Sequence, residues 1–298
     1  MIDTEQWMAN GGDEQKLTLY SKIGRVAPFA NADGRCLATI HHDAPEVGAI
    51  GDWVGDEATR IAAEKWLKEQ GCSVVRGPME IGNFFGHQVC LGPFNSPPYS
   101  LEPTEPADRW LAAGYEPIAH YAATLPDSRR VIDVARDSAA RLSVQGLTIE
   151  AWPNGERLSN ASFHRLMEAF EPVFNLSFAS HFAYLPITDQ ILHAWLSPCA
   201  PFVDSRLTML ARTPGGEPVG FVLTLRNQSD PTQFLIHTLA VLPPYQRRGV
   251  GTWLVGAAHR AGQRAGYRSG VHCLTPTEGL HQTKEVLRQY ALLQKDLE

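Results

Sequence analysis

The 298-residue chain has few cysteines, and they are scattered: Cys36, Cys72, Cys90, Cys199 and Cys273 are odd in number and form no CxxC pair. That spacing argues against a disulfide framework or a zinc cluster and fits a reducing compartment. No apolar run reaches the ~18 residues of a membrane helix. The opening stretch, MIDTEQWMANGGDEQK, is acidic and polar where a secretory leader would be basic and then apolar. A cytoplasmic protein without membrane contact is therefore expected. There is no polybasic run, and the formal net charge is −6, which argues against nucleic acid as a partner. HExxH, GxSxG and GxxxxGK[ST] are all missing, which removes zinc peptidase, hydrolase-elbow and P-loop chemistry. His41 and His42 would point to opposite faces of a strand, so they do not make a metal pair, and no metal is expected.

What is present is an ordinary globular balance, 44% apolar and 19% charged, with a length that fits two domains of roughly 150 residues. The segments read as an alternation of strands and helices. GRCLATIHH (34–42), SVVRGPM (73–79) and EPIAHYAATL (116–125) are strands, with helices at 56–71 and 107–115 between them. The stretch 92–106 is loop. LPDSRR near 125–130 marks a boundary, followed by a polar helix over 131–142. The second half brings the strand LTIEAW, helices over 157–174 and 186–196, and a hairpin around Pro214-Gly215-Gly216. An apolar strand QFLIHTLAVL follows, then an alanine-rich helix, the strand SGVHCL, a short helical piece and a last strand. AAEKWLKEQGCSVV and AAHRAGQRAGYRSG both read helix, glycine stop, strand. Aligning Gly71 with Gly266 makes them copies of one mixed α/β unit.

The most informative stretch is VLPPYQRRGVGTWLVGAAHRAGQRAGY, from Val241 to Tyr267. A strand ends at two prolines, and two arginines and two glycines precede a helix. Unpaired N–H groups and the helix dipole make such a start attractive to anions. Gly249 and Gly251 allow close approach of a ligand, and Arg247 and Arg248 add forked donors, so a diphosphate suits the turn. A solvated basic turn would carry the same residues. A dinucleotide GxGxxG reading fails, because its third glycine is Leu254.

Gln246-Arg247-Arg248-Gly249-Val250-Gly251 resembles the [QR]xxGx[GA] acyl-CoA pyrophosphate loop of the GNAT acetyltransferase superfamily, as do the strand, proline and helix around it. EKWLKEQGCSVVRGPM and SPPYSLEP with WLAAGYEPIAHYAA resemble the first halves of tandem-GNAT proteins. The resemblance implies an α/β fold with two GNAT-like domains in tandem, each a mixed, mostly antiparallel sheet flanked by helices. A degenerate domain over 1–127 and an acetyl-CoA-binding domain over 128–298, with a linker helix at about 128–143, would form an intramolecular pseudo-dimer. The same alignment sets Gly51–Asp56 opposite the basic loop, where its aspartates would repel a diphosphate and leave that copy silent.

The implied activity is transfer of acetyl from acetyl-CoA directly to an amine, expected on a small molecule. A different acyl donor, a thiol or hydroxyl acceptor, acyl-CoA decarboxylation, and binding without turnover stay open. Gln246, Arg247, Arg248, Gly249, Val250, Gly251 and Thr252 would hold the diphosphate. The backbone of Leu239, Ala240 and Val241 would pair with pantetheine, and a nearby N–H would polarise the thioester carbonyl. His237 is the favoured base by likeness to the arylalkylamine N-acetyltransferases, ahead of His272, which stands where relatives carry glutamate; either is alternatively a structural histidine. Tyr290 is the nearest candidate acid in the last strand, or a packing residue. Phe178, His181, Phe182 and Tyr184, joining two helices, would line the acceptor site, or pack on the core.

Overall fold

Period-two apolar stretches and amphipathic helices alternate along the chain, and in the structure, a computed structural model, they build one twelve-stranded sheet. Residues 2–83, 86–92, 94, 96–152, 160–186, 188–277 and 285–297 are described. Helices α1 (Thr4–Ala9) and α2 (Glu14–Tyr20) lead into strands β1 (Gly24–Asn31), β2 (Gly34–His41) and β3 (Val47–Gly55). Helix α3 (Glu57–Glu69), β4 (Val74–Gly77), β5 (Val89–Leu91), α4 (Asp108–Ala112) and β6 (Glu116–Leu125) complete the first half. The second half runs α5 (Ser128–Val144), β7 (Thr148–Ala151), α6 (Asn160–Phe178) and α7 (Asp189–Leu196). It continues through β8 (Met209–Arg212), β9 (Pro218–Arg226), β10 (Gln233–Val241), α8 (Val250–Arg264), β11 (Ser269–Pro276) and β12 (Glu285–Asp296). The helical piece expected between the last two strands falls on 278–284, outside the described residues. Among the described residues no helix is long and apolar enough to cross a membrane.

Helix starts follow local chemistry. Asp3, Asp13, Asp56 and Asp127 each stand in extended backbone and accept an N–H from the first turn of α1, α2, α3 and α5. Because Asp127 caps it, α5 begins at Ser128, three residues before the 131 read from the sequence.

The sheet order is β1-β2-β3-β4-β12-β6-β11-β10-β9-β8-β7, with β5 also paired to β12. Two pairs are parallel, β3 with β4 and β10 with β11, and the other pairs are antiparallel. Each half thus supplies an antiparallel set, a helix and a parallel return strand, the mixed and mostly antiparallel arrangement expected. The final strands cross over. Strand β12 lies between β4 and β6 of the first half, while β6 reaches β11 of the second.

Helices cover the sheet with apolar faces. Phe170 of α6 stacks on Phe221 of β9 with centroids 3.7 Å apart and planes 7° off parallel, and both are fully buried. Each such burial contributes about 1.5–3 kcal/mol, and the pairing about 1 kcal/mol more. At the junction of the halves, Arg288 of β12 donates to Glu102 across 2.6 Å with both side chains almost wholly buried. Tyr290 donates to the same carboxylate at 2.7 Å.

The stretch Gly51–Asp56, aligned with the basic loop in the sequence, is not a loop. It is strand β3 through Gly55, followed by the cap of α3. Its glycines hide the alternation, and packing explains them. A Cβ on Gly48 would stand 2.7 Å from Leu67 Cδ1, and one on Gly51 2.5 Å from Glu80 Cγ.

Candidate active site

Strands β10 and β11 pair from Gln233 and Ser269 to Ile236 and His272, and there the pairing stops. At that point β10 bulges: its register with β9 shifts between Ile236 and Thr238, leaving His237 as the extra residue. Strand β11 shifts its own register against β6 between His272 and Thr275. The two strands part, and the edge of Thr238–Val241 that faces β11 has no strand partner among the described residues. The gap opens into a cleft of about 1730 Å³. Leu239, 39% exposed, lines it, whereas Ala240 and Val241 turn their side chains into the core. Backbone groups on that edge are what an extended, amide-bearing ligand would pair with.

Helix α8 starts at the mouth of this gap. Its cap is Gly249, with φ 93°, a left-handed conformation that glycine alone adopts cheaply, and no side chain caps the first turn. A Cβ there would also lie 2.6 Å from Ser138 Oγ. Gln246 Nε2 donates to Val241 O at 2.9 Å and closes the turn. Arg141 of α5 donates to Arg248 O at 2.8 Å, and Arg248 reaches Gln145 Oε1 at 3.3 Å and lies 5.6 Å over the Tyr245 ring. Three guanidinium groups, Arg141, Arg247 and Arg248, thus belong to one uncapped helix start, a setting suited to a diphosphate. Gly251 and Thr252 line the cleft, and Gln246–Val250 form the turn beyond it. Arg141 has no sequence signal, because only the packing of α5 on α8 brings it there.

The first half holds a corresponding strand, helix and parallel return strand, β3, α3 and β4. Val47 pairs with Val74 as Gln233 pairs with Ser269, so the offset between halves is 195 residues on the return strand but 186 on the preceding one (269 − 74 against 233 − 47). Over this span the first half is nine residues shorter, seven of them between strand and helix, where Asp56 alone stands in place of residues 242–249, and two in the helix. Asp56 accepts from Ala58 N at 3.0 Å and occupies the helix start that Gly249 leaves open. Its splay is filled by its own chain: Met79 N donates to Ile50 O at 2.9 Å, and Glu80 accepts from Tyr20 at 2.6 Å and Lys16 at 2.7 Å. Asp52 does not face an open site but forms a two-pronged pair with Arg35 at 2.8 and 2.9 Å. The first half thus has a shorter strand-to-helix link and a strand edge covered by its own chain, and Asp52 and Asp56 are engaged in an ion pair and a helix cap.

His237 and His272 both line the cleft and flank the splay. The His237 Nδ1 lies 2.8 Å from Thr238 Oγ1, and burial lowers its pKa to about 4, so the ring is neutral at pH 7. His272 Nε2 lies 2.9 Å from Nε2 of His259, a fully buried residue of α8. Tyr290 is not brought to the cleft. It is fully buried on β12, and desolvation and the Glu102 carboxylate push its pKa far up. Burial disfavours the thiolate at both cleft cysteines, raising Cys199 to about 12 and pushing Cys273 up as well.

Phe178, His181 and Phe182 line the far wall, and Tyr184 stands behind them with its hydroxyl donating to Asn175. The ring of Phe178 packs 4.9 Å from that of His181, and burial lowers the His181 pKa. Phe182 carries the Arg76 guanidinium 5.3 Å over its ring. The opposite wall comes from the first half: Tyr99, Glu102, Ile118, His120 and Tyr121. These were not legible in the sequence; Ile118, His120 and Tyr121 lie on β6, which pairs with β11 at the cleft.

Residues 164–282 match the acetyltransferase (GNAT) family. No curated protein matches the chain at a significant level. Among solved structures, a protein of unknown function from Enterococcus faecalis, a probable N-acyltransferase, aligns with a TM-score of 0.54 and 11% identity over 99% of this chain and 69% of its own. A glucosamine N-acetyltransferase region of a fungal multi-domain beta-N-acetylglucosaminidase aligns with a TM-score of 0.51 and 12% identity over 98% of this chain. The present chain spans 36% of that fungal protein. A tandem GNAT protein of clavulanic acid biosynthesis covers 98% of this chain and 92% of its own at 10% identity, with a TM-score of 0.44.

Proposed function

We propose that this chain, whose residues 164–282 match the acetyltransferase (GNAT) family, is an acetyl-CoA-dependent N-acetyltransferase that acts on the amine of a small molecule. The observation that carries the reading is the splay after Ile236 and His272, with the uncapped, arginine-flanked start of α8 at its mouth. Gln246–Thr252 hold the diphosphate, with Arg141 as a further donor. The open edge of Leu239, Ala240 and Val241 pairs with pantetheine, which sets the thioester beside the bulge at His237. A backbone N–H there stabilises the oxyanion as the amine adds. Transfer is direct in this reading, which is supported by the burial of Cys199 and Cys273, since burial disfavours their thiolates. Phe178, His181, Phe182 and Tyr184 form the acceptor wall. His237 and His272 are the groups placed to take a proton, and Tyr290 belongs to the core. Domains of 1–127 and 128–298 share the cleft as a pseudo-dimer, the first without a cofactor site.

The test is release of free CoA from acetyl-CoA against a panel of primary amines, thiols and alcohols, with malonyl-CoA and longer acyl-CoAs as alternative donors, alongside calorimetry with CoA. One CoA per chain and turnover with an amine support the reading. Turnover only with a thiol or alcohol, carbon dioxide release from malonyl-CoA, or binding without turnover would each replace the chemistry. Two equivalent CoA sites would overturn the assignment of a single site.

A further inference from the structure

His259 sits inside an alanine-rich helix and has no exposed surface. Its Nε2 is 2.9 Å from His272 Nε2, and its Nδ1 is 2.9 Å from Ser128 Oγ at the start of α5. Phe234 of β10 meets its ring edge-on at 5.1 Å between centroids and fixes the plane. A chain of three polar groups therefore runs from the cleft wall into the packed seam between α5, α8 and the sheet. Two facing ring nitrogens at that distance hold one proton between them. When it sits on His272 Nε2, the basic nitrogen of His272 is Nδ1, and His259 Nδ1 carries a proton toward Ser128 Oγ. The tautomers of both rings are thereby tied together.

We propose that His259 is a positioning residue that makes His272, rather than His237, the proton acceptor of this site, by sharing the charge of the His272 imidazolium in the buried chain His272–His259–Ser128. The proposal rests on the acyl-transfer reading given above. As the amine nitrogen adds to the thioester carbon and the C–S bond breaks, the nitrogen loses one proton and the thiolate gains one. His272 Nδ1 takes the amine proton. Its Nε2–H is then held by His259 Nε2, and the charge spreads over two rings. The same proton leaves Nδ1 for the departing thiolate, and the pair returns to neutral. His237, bonded to its own neighbour Thr238, sits at the bulge where the thioester is oriented.

Among the described residues, these groups lie near the pair. On α5 they are Ser128, with Asp127 and Arg130 at the same end of the cleft; on β10, His237 and Thr238; on β11, Cys273; on β6, Thr124, opposite His272 in the ladder. Thr124 is fully buried, and its hydroxyl finds no partner among the described residues, which adds a second polar group on that face.

The experiment is an NMR titration of the His272 ring in the wild type, His259→Phe, His259→Gln and Ser128→Ala, with circular dichroism to confirm folding. It needs no acceptor. Loss of a hydrogen bond to a charged group should lower the His272 pKa by about one to two units in His259→Phe. His259→Gln, whose amide oxygen can accept, should restore part of it, and Ser128→Ala should give a smaller fall. Should His259→Phe not fold, the Gln and Ala variants decide by the same shifts. An unchanged His272 pKa in the folded variants overturns the proposal. Kinetics with acetyl-CoA and 2-phenylethylamine form a separate arm. The acid limb of kcat should move to lower pH in His259→Gln, with KM for acetyl-CoA unchanged. Absence of turnover in the wild type would count against the acyl-transfer reading, while the NMR shift would still decide the relay.

Discussion

Replacing Gly251 with aspartate separates the helix start from the ligand it is proposed to hold. A Cβ at this position has ordinary contacts only, 3.5 Å from Leu239 Cδ2 and 3.7 Å from Val241 Cγ2, and the backbone is helical. The residue lies in the first turn of α8, where a carboxylate interacts favourably with the dipole by about 0.3–1 kcal/mol. Loss of glycine in a helix adds a few tenths more. The variant should therefore melt at or above the wild-type temperature. Binding should respond in the opposite sense. A carboxylate about 5 Å from one charge of a diphosphate, at an effective dielectric constant near 20, costs roughly 3 kcal/mol, or about two powers of ten in Kd. Calorimetry with CoA, paired with thermal melts, reads both quantities, and Gly251→Ala, which the loop pattern tolerates, is the control with near wild-type affinity. An unchanged Kd in a fully folded Gly251→Asp would remove the diphosphate from the first turn of α8. Gly249→Asp is the poorer probe, since its φ of 93° and the Ser138 hydroxyl 2.6 Å from its Cβ position confound folding with binding.

Stability should fall on the acid side. Burial lowers His237 to about 4 and His87 to about 3, against about 6.5 in the unfolded chain. Below pH 6.5 the unfolded chain binds protons that the folded chain refuses, so stability is full above that pH and declines toward pH 4. His237→Gln should narrow the difference in Tm between pH 7 and pH 4.5, and an identical difference in both proteins would show that His237 does not contribute. A second expectation concerns the crossover. Fragments 1–127 and 128–298 should each be unstable alone, since β12 lacks β4 and β6 in one and β6 lacks β11 and β12 in the other. Co-expressed, they should assemble one to one. Independent cooperative melting of either fragment would refute this.

Much of the architecture was legible because it is local. Strand β6 was read as 116–125, the bounds it has in the structure, because its alternation is bounded by Gly114 and Pro126. The equivalence of Gly71 and Gly266 holds, with φ 93° and 89° after α3 and α8, because a glycine stop is a one-residue backbone decision. The basic glycine turn was legible for the same reason, and it does start a helix at the end of a strand. Strand β3 escaped, because glycines needed for close packing on Leu67 and Glu80 erased its pattern.

The sequence by itself determined many of the elements, their order and the chemistry concentrated between Val241 and Gly251, since propensity, capping and turn formation depend on neighbours in the chain. Only the tertiary structure decided what faces what. It set Arg141 beside the loop and Ser128 against His259, because α5 and α8, far apart in sequence, pack together. It turned Tyr290 into the core beside Glu102, and made the wall of the cleft from Ile118, His120 and Tyr121, because the final strands of the two halves trade places. Such pairings depend on the burial of whole faces and the register of distant strands, and no short window of sequence encodes them.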